Sequence, residues 1–248
     1  MSNKQIELQA FVLHARPFQE NQQLVELLTE HEGKMSALVF VGQSKRSIKK
    51  GMIQPFLPLK ITIKGSDADL KRITQIESAG NSLSLRKYSL YSGFYVNELL
   101  VRLLNDDIRC EALFSQYQFT LSALADGLPI APQLRKFELC LLAELGVSFD
   151  FGPVFEQNNE NVVGFYHLAE HGFMPAYTYS VKNITTKWFY TEHLQSIAAY
   201  VHHETPLTSK VVEHTFKLLM RDVIDHLLDG KPLNSRNLFT KNKREKHE

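Results

Sequence analysis

Cysteine is nearly absent: the 248 residues include two, Cys110 and Cys140. That excludes a disulfide scaffold and an all-cysteine structural zinc site. Both fall in apolar stretches with helical spacing, as buried thiols in a reducing compartment do. Long apolar runs are missing too. The longest, such as residues 37–41, fall far short of the ~18 residues needed to cross a membrane. The first nine residues are polar, carry Lys4 and Glu7, and lack the apolar core of a secretory signal. A soluble, cytoplasmic protein is expected, with no membrane partner.

Catalytic signatures are absent as well. The chain has no Gly-x-x-x-x-Gly-Lys-Ser/Thr phosphate loop, no Gly-x-Gly-x-x-Gly, no His-Glu-x-x-His and no Gly-x-Ser-x-Gly. Its ten histidines invite a search for metal ligands. His167 and His171 are four apart but fall in a glycine-containing hairpin region, and the adjacent His202 and His203 cannot share a helix face. No third ligand stands near either pair, and a metal site needs three or four converging groups. Asp106-Asp107 reads as a helix stop and start, not as a catalytic pair. No catalytic residue, metal or cofactor is expected.

Net charge is scarce: 28 basic residues against 27 acidic ones leave a formal +1, which excludes a uniformly basic coat. The balance conceals an asymmetry. Residues 34–64 hold seven cations, Lys34, Lys45, Arg46, Lys49, Lys50, Lys60 and Lys64, and no carboxylate. The rest of the chain has 21 basic against 27 acidic residues. Ordinary surfaces mix signs, so this segment points to an anionic partner.

Within the first eighty residues, strands are expected over 9–16, 24–30, 34–41, 57–64 and 70–77. Leu57, Leu59, Ile61 and Ile63 alternate with Pro58, Lys60, Thr62 and Lys64, the period of a half-buried strand. Pro17 ends the first strand, His31-Glu32-Gly33 and Gly65-Ser66-Asp67 supply turns, and a polar, basic connection runs over 42–51. Five short strands with such turns predict a small closed barrel of OB type, a common binder of single-stranded nucleic acid. Lys60 and Lys64 fall on the polar face of their strand, Lys45, Arg46, Lys49 and Lys50 in the neighbouring connection, and Lys34 opens the strand before it. Together the seven are the candidate lining of a groove for a phosphate backbone. Phe56 beside Pro55 reads as a core plug, with base stacking as the alternative.

The remainder reads as helix over 85–104, 110–125, 133–145, 192–203 and 209–229, with Pro132 opening the third. The last carries an inner stripe of Val212, Phe216, Leu219, Val223 and Leu227. Residues 147–190 are irregular, with a small hairpin around 162–179, and a charged tail is expected to fray from Lys241. The fold class is therefore α+β: an N-terminal five-stranded OB-type barrel over 1–80, then a mainly helical domain over 81–248 with an irregular insertion at about 147–190.

Blocks of the sequence resemble the bacterial DNA repair and recombination mediator family RecO. They are Phe11-Val12-Leu13-His14-Ala15-Arg16-Pro17-Phe18, Leu28-Thr29-Glu30 with Gly33-Lys34, and Gly42-Gln43-Ser44-Lys45-Arg46-Ser47. The helical part adds Leu90-Tyr91-Ser92-Gly93-Phe94-Tyr95 running on to Leu100, Leu134-Arg135-Lys136-Phe137-Glu138-Leu139, and Gly230-Lys231-Pro232-Leu233 with Leu238-Phe239. Their order and spacing over residues 11–239 make the match specific. The resemblance implies an OB barrel with a helical domain, binding of single- and double-stranded DNA, and annealing of complementary strands. It implies work with RecR and RecF to load RecA onto DNA coated by single-stranded-DNA-binding protein, on the nucleoid. Many relatives carry a four-cysteine zinc module where this chain has residues 147–190. No cysteine stands there, so no zinc is carried over.

The same context brings in the C-terminal tail of single-stranded-DNA-binding protein, which is acidic, apolar and ends in a free carboxylate. Arg135 and Lys136, in the first turn of the helix opened by Pro132, would set positive charge beside free backbone N–H groups. Leu139 and Leu142 lie one and two turns below as an apolar floor. The alternative at this position is a solvated helix start with Arg135 paired to a nearby Glu. A different class of function also fits the charge pattern: a protein-only adaptor whose basic barrel binds an acidic protein partner.

Overall fold

A computed structural model describes residues 5–42, 48–65, 70–106, 108–178 and 187–244. The chain divides into two compact units, residues 1–145 with 233–248, and residues 146–232. The barrel and the three helices that follow it fall in the same unit, so the expected border near residue 80 separates strands from helices inside that unit.

Five strands build the barrel: β1 (Gln5–Phe18), β2 (Gln22–Thr29), β3 (Gly33–Phe40), β4 (Leu59–Lys64) and β5 (Lys71–Ser78). They close in the order β1-β2-β3-β5-β4, with β4 returning antiparallel to β1 and β3 alongside β5 as the parallel pair. Alternate side chains turn inward, so Leu8, Val12, Val25, Leu27, Ala37 and Ile61 share one buried core. The first strand runs past the expected stop: Pro17 sits opposite Gln23 in the last rungs, where a missing N–H costs the ladder little. A short helix, α1 (Ile48–Met52), stands in the connection between β3 and β4. The turn expected at Ser66-Asp67 and the cations Lys45 and Arg46 lie outside the described residues.

Register slips in β1 between Val12 and His14, which leaves Leu13 out of the ladder with β2. Its carbonyl oxygen accepts a hydrogen bond from Asn97 Nδ2 at 3.1 Å, and the Tyr117 hydroxyl donates to Asn97 Oδ1 at 2.8 Å. Asn97 belongs to α2 (Tyr88–Leu103) and Tyr117 to α3 (Glu111–Ala125); α4 (Ile130–Glu144) packs on both helices. This buried node ties the strand to the helices while Phe11 packs on Phe114 and Tyr117 at ring distances of 5.8 and 5.2 Å. Phe56 is the core plug: it is 5% exposed and meets Phe94 at 5.4 Å. Gly33 takes φ +67°, and a Cβ there would come within 1.8 Å of the Ile108 carbonyl oxygen, so only glycine fits.

The second unit contains α5 (Gly152–Glu156), β6 (Val162–Leu168), β7 (Gly172–Tyr177), β8 (Trp188–Tyr190), α6 (Thr191–His203) and α7 (Lys210–Leu227). The expected hairpin is present as β6–β7, and β8 extends it to a sheet of order β7-β6-β8; residue 179 lies outside the described residues. Phe149, Phe151 and Phe173 pack together, with rings 5.1 Å apart for the last two. His167 stands against Phe173 at 5.1 Å, and burial holds its imidazole below the ordinary range. In α7 Val212, Phe216, Leu219 and Val223 are buried as expected, and Leu227 is half-buried.

One helix departs from expectation. Residues 234–240, for which no element is expected, and the start of the tail expected to fray from Lys241 form α8 (Asn234–Arg244), which packs on α2 in the first unit. Its start is held by Glu98 of α2, whose carboxylate accepts the Asn234 and Ser235 amides at 2.8 Å each and the Ser235 hydroxyl at 2.6 Å. Free N–H groups at a helix start need such acceptors. Phe239 then stacks on Tyr88 at 6.3 Å and meets Tyr91 edge-on at 5.7 Å.

Candidate nucleic-acid interface

Directly paired residues of neighbouring strands share a face, so the register of the barrel defines rows around its outside. One row runs Arg16, Leu24, Leu38, Arg72, Lys64, Gln5 across β1, β2, β3, β5, β4 and back to β1. The next holds Phe18, Gln22 and Phe40. Phe18 is 37% exposed and Phe40 60%. Lys64 and Arg72 stand directly opposite one another, and among the described residues neither has a carboxylate within ion-pair distance. Like charges placed so cost roughly 0.2–1 kcal/mol unless an anion comes between them.

A groove of about 670 Å³ opens beside this pair. Among the described residues Phe18, Gln19, Gln22, Leu38, Lys64, Gly65, Leu70, Arg72 and Thr74 line it, and none of these is a carboxylate. It lies beside the β1–β2 connection and the facing ends of β4 and β5, on the side of the barrel that OB folds present to oligonucleotides. Gln19 turns the first connection with φ +55°.

Of the seven cations expected to share one groove, the five among the described residues separate. Lys64 lines the groove. Lys60, two repeats of the pleat further along the same strand, bonds Glu7 Oε1 at 2.8 Å, and that hydrogen bond and the Glu7 charge push its pKa up. Lys49 and Lys50 lie in α1, half-buried and exposed respectively. Lys34 is a correction: its side chain is 11% exposed, and Nζ donates to the Val101 carbonyl and pairs with Asp106 Oδ1, both at 3.1 Å. It satisfies an orphan carbonyl and the negative end of α2 instead of facing solvent. Asp106 is therefore a structural partner; Asp107 lies outside the described residues. The sequence reading missed Arg16, Phe18 and Arg72, because all three fall outside the acid-free window. The alternation that put Ile73 and Ile76 inside did imply that Arg72 faces out.

The candidate tail receptor also changes. The helix begins at Ile130, so Pro132 is its third residue and Arg135 lies in the second turn, beyond the free N–H groups. Arg135 is half-buried and pairs with the fully buried Glu138 three residues on, which also accepts the Tyr95 hydroxyl at 2.8 Å. That is the pairing given above as the alternative. Burial first, then the Glu138 charge, raises Tyr95 well above the usual phenol range. Lys136 is exposed, Leu139 half-buried and Leu142 buried, so Leu142 does not floor an open groove.

Cys110 is buried and Cys140 half-buried; burial, with the Glu144 charge, pushes both thiols up to about 11. Thiols so shifted are poor nucleophiles. Among the described residues no cluster of three or more His, Cys, Asp or Glu is placed to hold a metal ion, and no helix is long and apolar enough to cross a membrane.

Comparison with known proteins agrees along the chain. Residues 1–81 match the family model described as Recombination protein O N terminal, and residues 88–154 match Recombination protein O C terminal. The DNA repair protein RecO of Cellvibrio japonicus is 35% identical over 233 residues, 93% of this chain and 95% of that one. Its namesake in Haemophilus influenzae strain Rd is 36% identical over 241 residues, covering 96% and 98% of the two chains. That of Klebsiella pneumoniae subsp. pneumoniae is 34% identical over 234 residues, covering 93% and 91%. The chain belongs to the RecO family of DNA repair and recombination proteins.

Proposed function

We propose that the chain is a DNA-binding recombination mediator. It binds single- and double-stranded DNA, anneals complementary strands and, with RecR and RecF, helps load RecA onto DNA coated by single-stranded-DNA-binding protein. The observation that carries this reading is the outward face of the barrel: a groove lined by Lys64, Arg72 and the exposed Phe18, with no carboxylate among its described lining residues. Such a surface tracks a phosphate backbone and accepts bases without reading their sequence. Lys49 and Lys50 in α1 add positive charge to the barrel's unit, and the sequence places Lys45 and Arg46, outside the described residues, just before them. For the tail of single-stranded-DNA-binding protein, Lys136 offers the accessible charge and Leu139 the accessible apolar contact, while Arg135 is held by Glu138.

Annealing on this account needs only a surface that offsets repulsion between two strands, in the cytoplasm and on the nucleoid, with no covalent step. The experiment is annealing of complementary oligonucleotides, bare and coated by single-stranded-DNA-binding protein, without nucleotide and after exhaustive chelation. Annealing is expected to persist. Loss on chelation that zinc restores would overturn the metal-free reading.

A further inference from the structure

We propose that the outer face of the sheet in the second unit is a docking surface for a basic, arginine-bearing segment of a partner protein. This surface is independent of the barrel and of its DNA-binding reading.

Strands β6, β7 and β8 carry no Lys, Arg, Asp or Glu. Their register sorts the side chains onto two faces. On one, Phe165 pairs with Phe189 and His167 with Phe173, and all three phenylalanines are buried. On the other, Trp188, Tyr166 and Met174 pair side by side, with Tyr190 and Leu168 flanking that row. Tyr190 is 57% and Leu168 37% exposed, and Trp188, Tyr166 and Met174 are half-buried. The aromatic rings form a ladder: Trp188 meets Tyr190 at 4.8 Å, and Tyr190 meets His193 of α6 at 5.4 Å. His193 is fixed in turn by a hydrogen bond shared with the Thr215 hydroxyl at 2.9 Å. Gly164 makes room for the ladder, since a Cβ there would come within 2.2 Å of the Phe189 carbonyl oxygen and 2.8 Å of the Trp188 ring. Open apolar side chains gathered on one face mark a contact surface, and Trp, Tyr and Met are enriched in such surfaces.

Charge identifies the partner. Residues 146–232 hold ten carboxylates against six lysines and arginines. Glu170 follows Leu168 in the β6–β7 turn, and Glu192 follows Tyr190 in the first turn of α6. An exposed carboxylate therefore stands beyond each end of the aromatic face. This field repels the phosphates of a nucleic acid and attracts a cationic chain. Arginine fits both parts of the surface: its planar guanidinium stacks on indole and phenol rings, and its donor fork matches a carboxylate.

The test uses the full chain, in which Trp188 is the single tryptophan, so that its emission reports from this face. Three probes are titrated separately: an Arg-Gly repeat peptide, the same peptide with Lys for Arg, and a single-stranded oligonucleotide. The arginine peptide is expected to change Trp188 emission saturably, and the lysine peptide to bind more weakly. Tyr190→Ala should weaken the arginine peptide about 2- to 5-fold, the loss of one exposed cation–π contact. Tyr190→Phe should bind as the unaltered chain does. Glu170→Gln combined with Glu192→Gln should also weaken the peptide and flatten its salt dependence. The oligonucleotide should leave Trp188 emission unchanged. An arginine peptide without effect on Trp188, equal binding of the two peptides, or undiminished binding by Tyr190→Ala would overturn the docking face. Saturable quenching of Trp188 by the oligonucleotide would overturn it in favour of a nucleic-acid surface.

Discussion

At the scale of single residues, a few polar atoms hold the frame on which the groove stands. Asn97 is 3% exposed and serves two buried partners, the out-of-register Leu13 carbonyl and the Tyr117 hydroxyl. Burial raises the Tyr117 phenol far above its usual range, so it acts only as a donor here. Asn97→Ala leaves both groups buried without a partner. At ~1–3 kcal/mol per orphaned group, the expected cost is about 2–6 kcal/mol in urea unfolding. An unchanged midpoint would mean the node holds nothing. In the sequence Asn97 is one polar residue in a helix apolar nearly all round. Its role stays hidden there because the bulge at Leu13 is a matter of strand pairing, which no local pattern reports. Lys34 was misread for the same reason: Val101 and Asp106 reach it from a distant part of the chain. Phe56, by contrast, was legible, since an aromatic beside proline at the edge of a strand has little to do but fill the core.

Among the elements, α8 shows how far tertiary contacts override local propensity. Its sequence is polar and basic, and alone it would not be a stable helix. It forms because Glu98 receives its first N–H groups and Phe239 packs on Tyr88 and Tyr91. Burial pushes the Glu98 carboxyl up, but the Ser235 hydroxyl and amide, the Asn234 amide and the Arg102 charge outweigh it, and the net shift is downward from 4.5. A carboxylate with a lowered folded pKa contributes stability that is complete above 4.5 and is lost as pH falls through the folded value. Hydrogen exchange, corrected for intrinsic rates, should therefore show α8 losing protection below about pH 4.5 while the barrel core keeps its own. In Glu98→Ala that protection should already be missing at neutral pH. Protection of α8 that is insensitive to both changes would show that Phe239 alone docks the helix. The barrel strands were legible because period-two alternation is a backbone property. Helix α4 starts three residues before the expected 133–145, because Pro132 stands third in its first turn instead of opening it, and a first turn tolerates proline at any of its early positions.

For the whole molecule, near-neutral charge conceals its segregation. The acid-free window of residues 34–64 was visible in the sequence and led to the barrel as the binding unit. Which cations face one way was not, because strand register moved Lys34 beneath a helix, tied Lys60 to Glu7, and set Lys64 opposite Arg72. A salt titration of oligonucleotide binding tests whether this outer surface binds the DNA backbone. For the unaltered chain, log affinity should fall linearly with log salt, by about 0.7 per phosphate contact on a single strand. The variant with Lys45, Arg46, Lys49 and Lys50 all changed to Ala should bind more weakly and with a shallower slope. A folded variant with the same affinity and the same slope as the unaltered chain would contradict the account.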